Sequence, residues 1–417
     1  MAVQSPAPAK VPDLPPLRQN RDFRFLMIGN SINDLGTAVG VITLTIVIYQ
    51  YSKSALLVGT IDTVELIALV LCGTPAGWVA DHYPRRQVMV AGAVLGFLSY
   101  GLLFGVVYTR ATSIPWLIIP VVLAAAGSAL YGACSRAVLP VLVSSQDIPN
   151  ATTIVQARGA LAVIVGAPIG GLLYSMHDWL PFGINAFSYL AALVLVLLIH
   201  GPMSPPGSRE PGLPTLKSMF AGVDLILVDR KLRDISILGI MAEFSSTGFI
   251  MCLIVSLQQR HYSFAIVGSV QSACAFGMVV GAVVSPIILK QYGIGAFAKY
   301  ALVLVAGSFA VVSVAAQSWL ILVMLGVGCL FVIPLVSGLS SYQILAVPPE
   351  LQGRVSSADQ TLTRVSAALA PVLGGVIFGA FGYIAALLFF ASLMALAGVY
   401  AGVSSVRKIS LESAEES

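Results

Sequence analysis

The chain has 417 residues, 58% of them hydrophobic and only 10% charged, with a net charge of +4 and a mean hydropathy of +0.93. A soluble domain carries about 25% charged residues, so this much apolar surface cannot be hidden from water, and the composition excludes a soluble globular protein in favour of an integral membrane protein. The small positive charge calls for no nucleic-acid partner, because the basic residues are distributed by side of the membrane.

Residues 1–21 are Pro-rich and polar, lack the apolar core of a signal peptide, and read as a cytoplasmic tail. Six apolar runs follow, at about 22–50, 54–80, 88–108, 115–137, 151–175 and 181–200. A Pro-, Gly- and Ser-rich break opens at 201–218 and, extended to 231, reads as a cytoplasmic linker. Six more runs come at about 232–258, 263–289, 297–315, 319–345, 357–379 and 382–405, and 406–417 form a second cytoplasmic tail. Each run is near or above the ~20 residues that a spanning helix needs, and a helix is required because lipid cannot satisfy an open backbone. The expected fold is therefore an all-α membrane protein with twelve transmembrane helices, as bundles at 22–200 and 232–405. Of the 22 Lys and Arg residues, only Lys53, Arg110 and Arg260 fall at odd-numbered loops. That bias places both termini and the linker in the cytoplasm. Trp116, Trp179 and Trp319 sit at outer boundaries and Trp78 at an inner one, as interfacial anchors would.

The two halves repeat. The first span reads Phe23-Arg24 and then Asp34; the seventh reads Leu232-Arg233 and, at the same spacing, Glu243. The fifth span carries Gly166, Pro168, Gly170 and Gly171, and the eleventh carries Pro371, Gly374 and Gly375. Such segments allow close helix contact and local bending and predict a seal or hinge near the outer face. Pseudo-symmetric halves joined by a cytoplasmic linker are the sequence form of a transporter that rocks about a midplane site.

The stretch Gly73–Arg86 is a tight charged hairpin between the second and third spans. Its Gly77, Asp81, Arg85 and Arg86 match the Gly-x-x-x-Asp-x-x-Gly-Arg-Arg loop motif of the major facilitator superfamily, which the chain resembles over nearly its whole length. Pro84 stands where that motif has Gly, and His82 where Arg is common. The fifth-span segment is similar to the motif of drug:proton antiporters, although Ala167 separates Gly166 from Pro168. The segments FRFLMIGNSINDLG, ADHYPRRQVMV, SRAVLPVLV and VPPELQGRVSS look like bacterial exporters that include enterobactin and macrolide efflux proteins. The resemblance implies two six-helix bundles in a bacterial inner membrane and proton-driven export by alternating access. It also implies a cytoplasmic latch, in which Asp81 faces the start of the eleventh span and Arg85 and Arg86 pair with acids such as Asp147 or Asp359.

Carboxylates inside spans carry the chemistry. Asp34, Glu65 and Glu243 each lie roughly 16 Å into a span at 1.5 Å per residue, and Asp62 is one turn from Glu65 on the same face. Ionisable groups at that depth mark an ion or substrate path, and burial disfavours the charged form of a carboxyl, so it can hold and release a proton. Asn30, Asn33, Asp34 and Thr37 form a polar stripe facing a cavity; Glu243 is followed by Ser245, Ser246 and Thr247. Tyr131, Ser135 and Gln271 are further candidates, Tyr131 as cavity lining because the resemblance places the fourth span there. Tyr342 and Gln343 lie nearer the inner end. Asn185 reads as a helix–helix hydrogen bond, and Arg158 and Arg364 as cations that snorkel or form structural pairs.

Cys72, Cys134, Cys252, Cys274 and Cys329 all lie in apolar runs without metal spacing and read as small buried hydrophobes. No phosphate loop occurs, and His82, His177, His200 and His261 are scattered at span ends. The chain is thus expected to be no enzyme, to hold no metal or cofactor, and to act as a monomer with protons, a small-molecule substrate and the bilayer as partners. Midplane acids without a central Lys or Arg suit cationic or neutral amphipathic substrates. Uptake or uncoupled transport is the rival within transport; a sensor that moves nothing would be marked by a large extramembrane domain.

Overall fold

The computed structural model describes residues 17, 19–110, 114–144, 146–201, 203, 223–291 and 293–408. The tails at 1–16 and 409–417 and most of the linker, 204–222, lie outside the described residues. Among the described residues the regular elements are helical: α1 (Arg21–Ser52), α2 (Ala55–His82), α3 (Arg85–Tyr108), α4 (Ile114–Leu142), α5 (Ile148–Met176) and α6 (Leu180–Leu197) come first. They are followed by α7 (Arg230–Gln259), α8 (Phe264–Gln291), α9 (Ile294–Val314), α10 (Ser318–Leu330), α11 (Val332–Ala346) and α12 (Pro349–Val403).

The local sequence sets these boundaries. Asn20 caps α1 by accepting from the Phe23 amide at 2.9 Å, Ser54 caps α2 through Leu57, and Asp229 caps α7 through Lys231 and Leu232. Lys53 closes α1 in the left-handed region, at φ 51°. Two joints along the later spans are unusual. The tenth span is not one helix: its hydrogen bonding breaks at Phe331, and α10 and α11 cross the membrane in series. The eleventh and twelfth spans are two helices, as expected, labelled together here as the two arms of α12 because they meet at Gly382, with φ 84° and ψ 173°, without a loop. Only a residue without Cβ adopts that backbone cheaply, so the reversal needs no loop. The first arm also begins well before the apolar run, because its first turns are polar and helical.

Helices α1 to α6 pack together, α1 against α5 and α6, and α3 against α4 and α6. Helices α7 to α12 do likewise, with α12 against α7 and α9 and α8 against α10. The outward faces are apolar, with Leu71, Val283, Phe381 and Val403 all more than two-thirds exposed, as a lipid-facing surface requires. Each half is clasped at the side carrying the chain ends, called here the terminal side. Asp22 accepts from the amides of His200 (3.2 Å) and Gly201 (2.8 Å). Asp234 accepts from the Tyr400 hydroxyl (2.8 Å) and from the Ser405 amide (2.9 Å) and hydroxyl (2.6 Å). In both halves an acid early in the first helix holds the chain leaving the last.

The halves meet along two seams, α2 on α12 and α5 on α8, on the side away from the chain ends. A Cβ added to Gly59 would collide with the Pro371 carbonyl, and one on Gly375 would press on Ala55 and Leu56. In the other seam, Gly171 meets the Phe264 carbonyl and Gly268 meets the Ala167 carbonyl. Gly170 and Gly374 instead face helices of their own half, against Val39 and Cys252. The glycine pairs of the fifth and eleventh spans therefore divide one duty each: the first packs a bundle, the second joins the bundles. Gly166 packs within its own half against Ala38 and Leu35. Polar bonds cross the interface on the same side: Gln50 donates to Gln258 (3.1 Å), the Val372 amide to Thr63 (3.2 Å), and Ser272 to the Ile164 carbonyl (2.7 Å). Further along α2, Gly73 and Gly77 have open space where a Cβ would be, and so does Gly159 on α5. The interface is tight at one end of these helices and open at the other.

Candidate functional site

A cavity of about 430 Å³ lies between the halves. Asp62 and Glu65 enter it from α2, one helical turn apart, and Glu243 enters from α7. Ser246, Thr247 and Ile250 follow Glu243 at the i+3, i+4 and i+7 positions of the same helix face, and Gln271 comes from α8. Apart from Thr45 of α1, the rest of the wall is largely apolar: Val41 on α1, Leu66 on α2, Met251 and Ile254 on α7, Met278 on α8, and Val305 and Phe309 on α9. Among the described residues, no Lys, Arg or His lines it. Three carboxyls from two halves thus converge on one chamber whose remaining surface is greasy. Such a chamber suits a ligand with an apolar body and a positive or hydrogen-bonding group.

Asp34 is placed elsewhere. Its carboxylate pairs with the Arg158 guanidinium of α5 at 3.1 Å, with about a third of the Asp34 side chain exposed. The rest of the α1 stripe does not border this cavity either, although Val41 and Thr45, further along the same face of α1, do. Asn30 is buried and donates to Ser135 (2.8 Å), while the Tyr131 hydroxyl donates to Asn30 (2.8 Å), a polar knot joining α1 to α4. Asn33 is buried, and Thr37 lies beside the Tyr189 hydroxyl of α6. Asn30, Asn33, Thr37 and Tyr131, expected to line the cavity, are not among the residues that border it. Asn30 and Tyr131 find partners within their own half, as buried polar groups need.

The internal repeat extends to the arginines. Arg158 on α5 pairs with Asp34 on α1, and Arg364 on the first arm of α12 acts electrostatically on Glu243 of α7. Each half thus sets an acid of its first span against an Arg of its fifth. The halves differ in that Glu243 also borders the cavity. Asn185 is buried and accepts from Ser188 of its own helix (2.9 Å), beside Tyr100 of α3. Tyr342 is buried, with Lys231 over its ring at 5.5 Å, and Gln343 donates to Asp359 at 3.4 Å.

The hairpin is held differently from the expected latch. Arg85 donates to the Ala137 carbonyl (2.7 Å), and Arg86 to the carbonyls of Leu197 (2.8 Å) and Ile199. Asp147 is bonded to Ser144 (3.0 Å) and Asp359 to Ser236. Asp81 is exposed on the open side of the molecule. The guanidinium groups therefore anchor the start of α3 to the ends of α4 and α6 in this state. The physical reason is that main-chain carbonyls at the ends of α4 and α6 lie within reach of both guanidinium groups and accept from them.

Several wall residues were not singled out in the sequence. Met251, Met278 and Phe309 are indistinguishable there from lipid-facing apolar residues, since both sets sit in uniformly apolar helices. Cys274 and Cys329 had one available signal, that both lie on helices of the same half, but nothing in their spacing predicts that they meet.

A family model described as Major Facilitator Superfamily matches residues 26–371. The staphyloferrin A transporter of Staphylococcus aureus is 23% identical over 262 residues, 62% of this chain and 65% of that protein. A lysophospholipid transporter of Enterobacter sp. is 26% identical over 172 residues, 40% of each chain. The matches thus span less than two thirds of these relatives. Among solved structures, the nucleoside transporter NupG superposes with a TM-score of 0.72 at 13% identity, over 92% of this chain and 98% of that one. A bacterial homologue of the lysosomal transporter Spinster, inward-facing and occupied, gives 0.74 at 13% identity over 94% and 98%. A bacterial homologue of ferroportin, inward-facing, gives 0.70 at 14% over 92% and 100%. With a family model spanning most of its length and such folds superposing over nearly all of it, the chain belongs to the Major Facilitator Superfamily, whose fold is that of transporters.

Proposed function

We propose that this protein is a proton-coupled exporter of small amphipathic molecules, cationic or neutral, in a bacterial inner membrane. The observation that carries the reading is the convergence of Asp62, Glu65 and Glu243 on one otherwise apolar cavity between the halves. A carboxyl in such a place offers two exclusive states: charged and holding a cation, or protonated and empty. Exchange of one for the other is antiport. The positive bias of the terminal side supports placing both chain ends in the cytoplasm, so the state described here is open inward and sealed outward by the glycine seams. Two bundles, 22–200 and 232–405, rock about the cavity, and the monomer is the transporting unit. In the opposite state, Asp81 closes against the start of α12 and the hairpin acts as the inner latch.

The decisive experiment is flux in proteoliposomes with an imposed pH gradient and a panel of lipophilic cations, neutral drugs and siderophores. Gradient-dependent movement of at least one amphipathic compound is expected. Movement that ignores the gradient would leave uncoupled transport, and movement of none would remove the exporter reading.

A further inference from the structure

Two thiols that read from the sequence as inert fillers meet on the cavity wall. Cys274 of α8 and Cys329 of α10 are both half-buried, both border the cavity, and lie close enough for their thiols to act on each other. The backbone explains the meeting. A Cβ on Gly277 would strike the Gly326 carbonyl, and one on Gly281 the Leu330 carbonyl, so α8 and α10 touch main chain to main chain beside these residues. Met278, one turn beyond Cys274, and Met251 across on α7 add two thioethers to the same chamber. Cys134 and Cys252, by contrast, are buried in helix packing, and Cys72 does not border the cavity.

Neighbouring thiols on two helices in main-chain contact, both bordering one chamber, suit a soft centre that bonds two sulfurs. We propose that Cys274 and Cys329 form a dithiol site in the cavity that captures trivalent organoarsenicals. The reaction is ligand exchange. An aryl arsenic carrying two hydroxyls bonds to both sulfurs; two As–O bonds are replaced by two As–S bonds, each thiol gives its proton to a departing hydroxyl, and two waters leave. Arsenic stays trivalent, so no oxidant or reductant takes part. The adduct ties α8 to α10 and occupies the chamber. The proposal needs only that the cavity admits a small molecule, so it stands or falls separately from proton coupling.

The test uses the full chain, purified in detergent and freed of reductant, with phenylarsine oxide as the probe. Intact-mass analysis should show one phenylarsenic adduct per chain, and titratable thiols should fall by a pair. A dithiol, 2,3-dimercaptopropanol, should remove the adduct where the monothiol 2-mercaptoethanol at equal thiol concentration does not. C274A and C329A should each lose it, while the variant C72A/C134A/C252A, which keeps only the proposed pair, should retain it. Should a single variant fail to fold by gel filtration, the triple variant still decides. No adduct on the triple variant, an adduct removed equally by monothiol, or an adduct surviving in folded C274A or C329A would each overturn the assignment.

Discussion

The Arg158 guanidinium lies 3.1 Å from the Asp34 carboxylate, tying the fifth helix of the first half to its first helix deep inside two apolar spans. Removing either charge leaves the other unpaired in a medium that penalises it heavily. We therefore expect Asp34 to serve stability before transport. A double-mutant cycle of D34N and R158Q, followed by unfolding in detergent, should give a coupling of about 0.5–3 kcal/mol. Strictly additive effects would show that the pair contributes nothing.

The proton role falls to the cavity carboxyls. E243Q and E65Q are each expected to reduce gradient-driven flux to the level of empty vesicles while leaving expression and melting temperature near wild type. D62N should weaken binding of a lipophilic cation about tenfold, equivalent to about 1.4 kcal/mol, as read by dye fluorescence. Undiminished coupled flux in both glutamine variants would place the proton path elsewhere.

The seams offer a mechanical test. A leucine side chain at position 59 has nowhere to go, because Pro371 presents its carbonyl there. G59L should push the sealed ends apart, and G171L should do the same in the other seam through Phe264. Spin labels at Lys53 and His261, both exposed near the sealed side, should report a longer distance in each variant. Unchanged distance distributions would mean that the seams do not hold this state.

Asp234 holds the chain end leaving α12 through three bonds, two of them to Ser405, and is itself buried. D234A is expected to cost about 1.5–3 kcal/mol, the range for hydrogen bonds to a charged group, seen as a lower melting temperature. S405A, which removes only one of the bonds, should cost less. Equal stability of D234A and wild type would remove the clasp.

The membrane class, the twelve passes and the duplication were legible because composition and hydropathy are set by the lipid, which acts on every residue alike. Glu65, Asp62, Glu243, Ser246 and Gln271 were legible for a related reason: a polar residue deep in a span must face either a cavity or a partner. The same rule could not say which. Asn30 and Tyr131 satisfied it with each other, across α1 and α4, and Asp34 with Arg158 on α5. That choice depends on how helices are rotated about their axes, and uniformly apolar helices carry little record of rotation. The loopless turn at Gly382 was hidden because one left-handed residue does the work of a polar loop. The meeting of Cys274 and Cys329 was hidden because it follows from glycine contacts between helices distant in sequence.

The contacts of Gly59, Gly171, Gly268 and Gly375 have a consequence for the cost of motion. Each glycine meets the main chain of the opposite half, at Pro371, Phe264, Ala167 and Ala55–Leu56. Separating such surfaces frees few rotatable bonds, and closing them again freezes few, whereas a seal of interlocked Leu or Met would lose side-chain entropy each time it formed. An interface built this way can be remade in every turn of a cycle with little disorder to suppress, so its equilibrium stays sensitive to small inputs such as the arrival of one proton or one ligand.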